Sequence, residues 1–302
     1  MKTTIFFLFF VTVIAFPFHD IAALSLSDDD DIVFIHHSCG ENWLNGGLRS
    51  ALLSQDYIDE VNDIYYGEDV APDAGRPDSL GEIPGDNTNM NHWIRWFNDY
   101  LTGIGNFECA DGRNAIVMFK SCYPISNIDS VGSLPGNPFD DWQTLTNYKS
   151  VFRNYEDANG TYLQDGVAYR SLEQIFALNP DTLFIAVTAP PRNYGPSDET
   201  NNAEAQRARE FNNWLKNDWF SSYQSAHPGL NNVAVFDWFD VLAYPGDHAE
   251  HPNRLKKEYG GNNGDSHPNA LANQESATIF AAFLDGIYET WAVTTVLDWN
   301  LY

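Results

Sequence analysis

The chain is poor in cysteine and in basic residues, and no long apolar run follows its first residues. Cys39, Cys109 and Cys122 are the three cysteines among 302 residues. Three cannot all pair internally, which excludes a disulfide-framework protein. Sixteen Lys and Arg stand against 42 Asp and Glu, a formal net charge of −26. Nucleic acid and anionic membranes would both be repelled by that charge, so neither is expected as a partner. No internal repeat or low-complexity linker divides the chain. After the N-terminus, no segment approaches the ~20 apolar residues needed to cross a bilayer.

What is present begins with a leader-like segment. Lys2 supplies a positive end, Ile5 to Phe16 are almost wholly apolar, and Ala22 and Ala23 offer small residues for cleavage. Residues 1–25 therefore read as a secretory signal. Residues 26–302 read as a single domain, secreted to an extracellular or periplasmic space, with no stable membrane association once the signal is cleaved. Hydrophobic residues make up 43% of the chain, enough for a core and unlike a disordered composition.

Short apolar runs alternate with helical patterns. Strands are expected at 32–36, 60–66, 115–120, 182–188 and 232–237. Helices are expected at 45–54, 91–102, 166–178, 201–219 and 270–292. "AIVMFKS" and "TLFIAVTAPP" are apolar throughout, as strands covered on both faces are. In the last helix, Ile279, Phe280, Phe283, Ile287 and Tyr288 recur on one face. Such alternation predicts an α/β fold: a parallel sheet of about five strands with helices on both sides. Loop-like segments at 67–90, 123–147 and 243–266 leave from the carboxyl ends of strands, where such sheets place their functional crevice. Asp28 to Asp31 read as a solvated turn before the first strand.

The first strand ends on "HHSCG", putting Ser38 where a turn begins. A serine needs a base to become nucleophilic, and the base needs a carboxylate to orient it. "GDSHPN" offers both, with Asp265 and His267 just before the last helix and Pro268 restricting the backbone of His267. His36 and His37 fall on opposite faces of the strand, so at most one shares the crevice with Ser38. His37 is the candidate to bind the substrate carbonyl or acid end. His248 and His251, beside Asp247, have a spacing that zinc can use, but no third strong ligand accompanies them. No metal or cofactor is expected. Cys39 and Cys122 each follow a predicted strand and can sit side by side to form one bridge, while Cys109 lies at the other end. A thiol nucleophile stays open as an alternative. Trp43, Trp93, Trp96 and Trp142 flank the crevice loops, where tryptophan stacks on sugar rings.

"VFIHHSCG", "GDNT", "MFKSCYP" and "DSHPN", in this order, resemble the SGNH, or GDSL-like, hydrolase superfamily. The resemblance implies a flavodoxin-like three-layer α/β/α sandwich and metal-free hydrolysis of esters of lipids, acylated sugars and similar substrates; a small-molecule or polysaccharide ester is the expected substrate here. It implies a triad of Ser38, His267 and Asp265. It also implies an oxyanion hole from the backbone of Ser38, from Gly85 and from an asparagine, for which Asn127 stands nearest. Three departures are visible. His36-His37 replace the family's Gly-Asp, "KSCY" replaces its Gly-x-Asn-Asp, and Asp265 stands two residues before the histidine rather than three. Lys120, Ser121 or the Cys122 backbone are the substitutes for the third donor. Ser121 and Trp43, with His37, are the expected substrate contacts. The expected function is a serine esterase acting on acyl, notably acetyl, esters of carbohydrate. The alternative is a non-catalytic carbohydrate-binding or surface protein on the same scaffold.

Overall fold

Five strands form one parallel sheet. The computed structural model describes residues 30–65, 89–109, 112–196 and 200–299; the expected signal segment and Gly85 lie outside these. The strands are β1 (Asp30–His36), β2 (Val61–Tyr65), β3 (Arg113–Lys120), the hairpin pair β4 (Tyr162–Gln164) and β5 (Val167–Tyr169), β6 (Leu183–Val187) and β7 (Val233–Phe236). The five-stranded sheet runs in the order β2-β1-β3-β6-β7, and every pairing in it is parallel. That is the flavodoxin-like order, and its switch point lies between β1 and β3.

The helices are α1 (Ser38–Trp43), α2 (Arg49–Leu52), α3 (His92–Asp99), α4 (Leu101–Gly105), α5 (Leu145–Phe152), α6 (Leu172–Ala177), α7 (Asn202–Asn213), α8 (Phe220–Ala226), α9 (Trp238–Leu242) and α10 (Ala270–Trp299). Successive strand residues point to opposite faces, so the sheet feeds two cores. Val33, Ile35, Val117 and Phe119 pack with α3, α5, α6, α7 and α8. Ile32, Phe34, Ile116 and Met118 pack with α1, α2 and α10. The three layers follow directly.

Several local expectations are corrected. Residues 162–169 form a hairpin rather than the start of a helix, because Asp165 and Gly166 both take positive φ (52° and 81°) in a tight turn. Helix α5 lies at the edge of the expected loop 123–147 and beyond it. On α10, Ile279 is exposed, and Phe280, Leu284, Tyr288 and Trp291 form the buried stripe. Asp31 is a buried strand residue rather than a turn residue, and its carboxylate accepts the Glu60 backbone N–H at 2.9 Å. Burial raises its pKa, with the Glu60 hydrogen bond opposing. No helix among the described residues is long and apolar enough to cross a membrane.

Candidate active site

Ser38 is the first residue of α1, directly beyond the carboxyl end of β1. His37 caps the helix in an extended conformation, and its carbonyl accepts from the Gly40 and Glu41 N–H groups at 2.7 and 3.2 Å. Gly40 is required by space: a Cβ there would lie 2.3 Å from the His36 Cβ. Its absence lets the first turn of α1 lie against β1.

The loop before α10 brings the other two groups. Ser38 Oγ lies 2.7 Å from His267 Nε2, and His267 Nδ1 lies 2.6 Å from Asp265 Oδ1. The same carboxylate oxygen accepts the His267 backbone N–H at 3.0 Å. Asp265 thus holds the proton on Nδ1 and leaves Nε2 free to accept from the serine hydroxyl. Burial alone would raise the Asp265 carboxyl. The hydrogen bonds from the His267 backbone and ring outweigh it and hold the pKa below the ordinary value. The two-residue spacing is workable because the chain turns at Gly264, whose φ is +87°.

This loop is clamped from the β6 side. Asn193 donates to Ser266 Oγ from its backbone at 3.1 Å and from its amide at 2.7 Å. The Tyr194 N–H donates to the Gly261 carbonyl at 2.8 Å. The imidazole of His267 is also flanked by Tyr123, edge to face, with ring centres 5.0 Å apart. The Arg192 guanidinium lies 5.4 Å from the Tyr123 ring centre. Nothing in the sequence pattern marked Tyr123 or Arg192, because each joins the site only through the fold.

The two strand-end histidines separate as their alternation requires. His36 is fully buried, 3.4 Å from Asp63 through Nε2. Asp63 also pairs with Arg49. Burial works to raise the Asp63 carboxyl, but its hydrogen bonds with His36 and Arg49 leave it lowered. His37 faces the site, with Nδ1 3.2 Å from Ser38 Oγ.

Three expected contacts are not brought to the serine. Trp43 is 0% exposed and stacks on Trp238 at 4.5 Å, deep in the α10-side core. A substrate cannot reach it. Ser121 is buried on the opposite face of the sheet, where its hydroxyl accepts from Trp93 Nε1 at 2.8 Å. Asn127 directs its amide towards Asp129 (3.5 Å). Among the described residues, the Ser38 hydroxyl meets His37, Cys122 and His267 instead. Trp93 and Trp96 are also core residues.

Trp142 differs. It is 63% exposed. With Pro124, Asn127, Asp129, Asp141 and Arg192 it lines an open groove of about 450 Å³. That groove begins two residues beyond Cys122, whose sulfur lies 3.6 Å from Ser38 Oγ. The histidines of the 243–266 loop are taken up by ring stacking: His248 on Tyr244 at 4.0 Å and His251 on Tyr194 at 3.6 Å. Among the described residues no cluster of three or more His, Cys, Asp or Glu is arranged to hold a metal.

No family model and no curated protein matches the chain. Among solved structures it is similar to a Bacteroides fragilis protein provisionally assigned as an acylhydrolase, at 13% identity and a TM-score of 0.45, over 88% of this chain and 89% of that one. It is also similar to a gut microbial diltiazem-metabolizing enzyme, at 11% identity and a TM-score of 0.40, over 83% of this chain and 46% of that one. The chain thus spans less than half the length of that second protein.

Proposed function

We propose that the protein is a secreted serine esterase of the SGNH type that removes acyl groups, notably acetyl, from carbohydrate. The observation that carries this reading is the unbroken chain Ser38 Oγ–His267–Asp265, at 2.7 and 2.6 Å. Two hydrogen bonds in that sequence are what a hydroxyl needs to become a nucleophile. Ser38 attacks the ester carbonyl carbon while His267 Nε2 takes its proton. His267 then gives that proton to the leaving alcohol. Water, deprotonated by the same nitrogen, attacks the acyl-enzyme and releases the acid. Asp265 keeps the imidazole oriented and stabilises its charged form. Backbone N–H groups at the start of α1 supply the oxyanion donors, and His37, 3.2 Å from the nucleophile, contacts the substrate carbonyl or its tetrahedral intermediate.

The carbohydrate preference rests on the groove. An exposed indole beside two carboxylates, an amide and a guanidinium presents a stacking face and hydrogen-bonding groups to a polyhydroxylated ring. The test compares p-nitrophenyl acetate with acetylated xylo-oligosaccharide as substrates. Trp142→Ala is expected to raise KM for the oligosaccharide roughly tenfold, about 1.4 kcal/mol, and to leave p-nitrophenyl acetate turnover within about twofold. Equal loss on both substrates would reject the groove as the sugar subsite. An inert wild type on both would favour the non-catalytic alternative.

A further inference from the structure

The strongest chemistry that the triad does not use lies directly beneath it. Cys39 follows the nucleophile on α1, and Cys122 stands two residues beyond β3. Strands β1 and β3 are parallel neighbours, with Ile35 paired to Phe119, so their carboxyl ends deliver both cysteines to the switch point. Their sulfurs are 3.2 Å apart and are not bonded to each other. A disulfide needs about 2.05 Å, so an approach of a little over 1 Å would join them. Cys39 is 0% and Cys122 5% exposed.

A buried cation accompanies the pair. Lys120 is 1% exposed, and its ammonium has no hydrogen-bond partner among the described residues. It sits 5.6 Å from the centre of the Trp238 ring. A charge so deep in a core is costly without an opposite one. Both cysteines feel its field. The hydrogen bond from Cys39 and then Lys120 and His37 hold the Cys122 thiol well below its usual range, against the opposing effect of burial. Burial pushes Cys39 well above its own. The two thiols are shifted in opposite directions, Cys122 down and Cys39 up, which is the asymmetry a dithiol uses in exchange. Cys109 is different: burial and then Asp31 push its thiol up to about 12.

We propose that Cys39 and Cys122 form a reversible dithiol–disulfide site under the nucleophile, oxidised by a low-molecular-weight disulfide. Cys122 attacks one sulfur of that disulfide, breaking its S–S bond and releasing one thiolate. The Cys39 proton passes to the released thiolate. The Cys39 sulfur then attacks the Cys122 sulfur of the mixed disulfide and expels the second thiolate. The two protein sulfurs lose two electrons, and the small disulfide gains them. The consequence for catalysis rests on the esterase reading. In the dithiol form the Cys122 sulfur lies 3.6 Å from Ser38 Oγ, where a tetrahedral oxyanion must also build up, and negative charge on that sulfur opposes the oxyanion. The bridge removes that charge, so oxidation raises kcat.

The test treats the purified protein with oxidised glutathione or with dithiothreitol, alkylates it after denaturation, and maps non-reduced peptides by mass spectrometry. Oxidation is expected to yield a Cys39–Cys122 linked peptide with Cys109 still alkylated, and Cys109→Ala is expected to give the same bridge. Full alkylation of Cys39 and Cys122 after oxidation, or a persistent glutathione adduct without a bridge, would overturn the proposal. On p-nitrophenyl acetate the bridged form is expected to show kcat several-fold above the reduced form, with Cys122→Ser insensitive to redox state. A bridge that forms with equal kcat in both states overturns the electrostatic effect. A bridge that forms in a protein inert in both states overturns the esterase reading and leaves the thiol chemistry standing.

Discussion

Asp265 is the residue whose role is most open to a quantitative test. Its carboxylate is half exposed, so water screens it more than a buried triad member. Asp265→Asn is therefore expected to lower kcat about 10²- to 10³-fold, less than the ~10⁴ that a buried carboxylate can cost. The sign with pH is fixed by its lowered pKa. A carboxyl that is more acidic folded than unfolded contributes stability above its unfolded value, near 3.9, and that contribution fades as pH falls through the folded value. Between pH 5 and 9 Asp265 stays ionised, so its own titration adds no pH dependence to wild-type kcat there. A variant within threefold of wild type would remove Asp265 from the mechanism. That Ser38, His267 and Asp265 could meet was legible in the sequence, because strand ends and the loop before a terminal helix lie at the same end of such a sheet, and the three side chains do lie within hydrogen-bond distance. Trp43 was not legible. Its stacking on Trp238 depends on a contact between chain segments almost 200 residues apart, which no local pattern reveals.

At the scale of elements, the turn from β1 into α1 does most to place Ser38. Adding one methyl at Gly40 brings it within 2.3 Å of the His36 Cβ, and His36 is itself held by Asp63. Gly40→Ala should therefore cost about 1–3 kcal/mol, read as a lower urea midpoint, and should also lower kcat as Ser38 shifts from His267. An unchanged midpoint would show that α1 is not confined against the strand. Strands β3, β6 and β7 were readable because parallel strands covered on both faces are apolar on both, whereas β2, at the edge, carries Asn62 and Asp63. The second half of the hairpin, 166–169, was misread as the start of a helix, although "QDGV" carries the Asp-Gly signal of a tight turn. Helix α5 was missed because it follows a stretch rich in Gly, Pro and Asp, where breakers outweighed the pattern.

For the whole molecule, charge is the dominant feature. A net −26 on 302 residues works against the compact state through self-repulsion, and salt shortens the reach of that repulsion to ~3 Å at 1 M. The melting temperature is expected to rise by about 5 °C between 20 mM and 1 M NaCl, the equivalent of about 3 kcal/mol for a protein of this size. A flat or falling melting temperature would mean that local pairs such as Arg209–Asp240 and Lys216–Asp237 matter more than the overall charge.

The proposed reaction depends above all on Ser38 being a nucleophile activated by His267. The most direct measurement is the rate of p-nitrophenyl acetate hydrolysis by the wild type beside Ser38→Ala, with both shown to be folded by circular dichroism. The account predicts an active wild type and a variant reduced by at least about 10³-fold. An inert wild type, or a variant as active as the wild type, would contradict it.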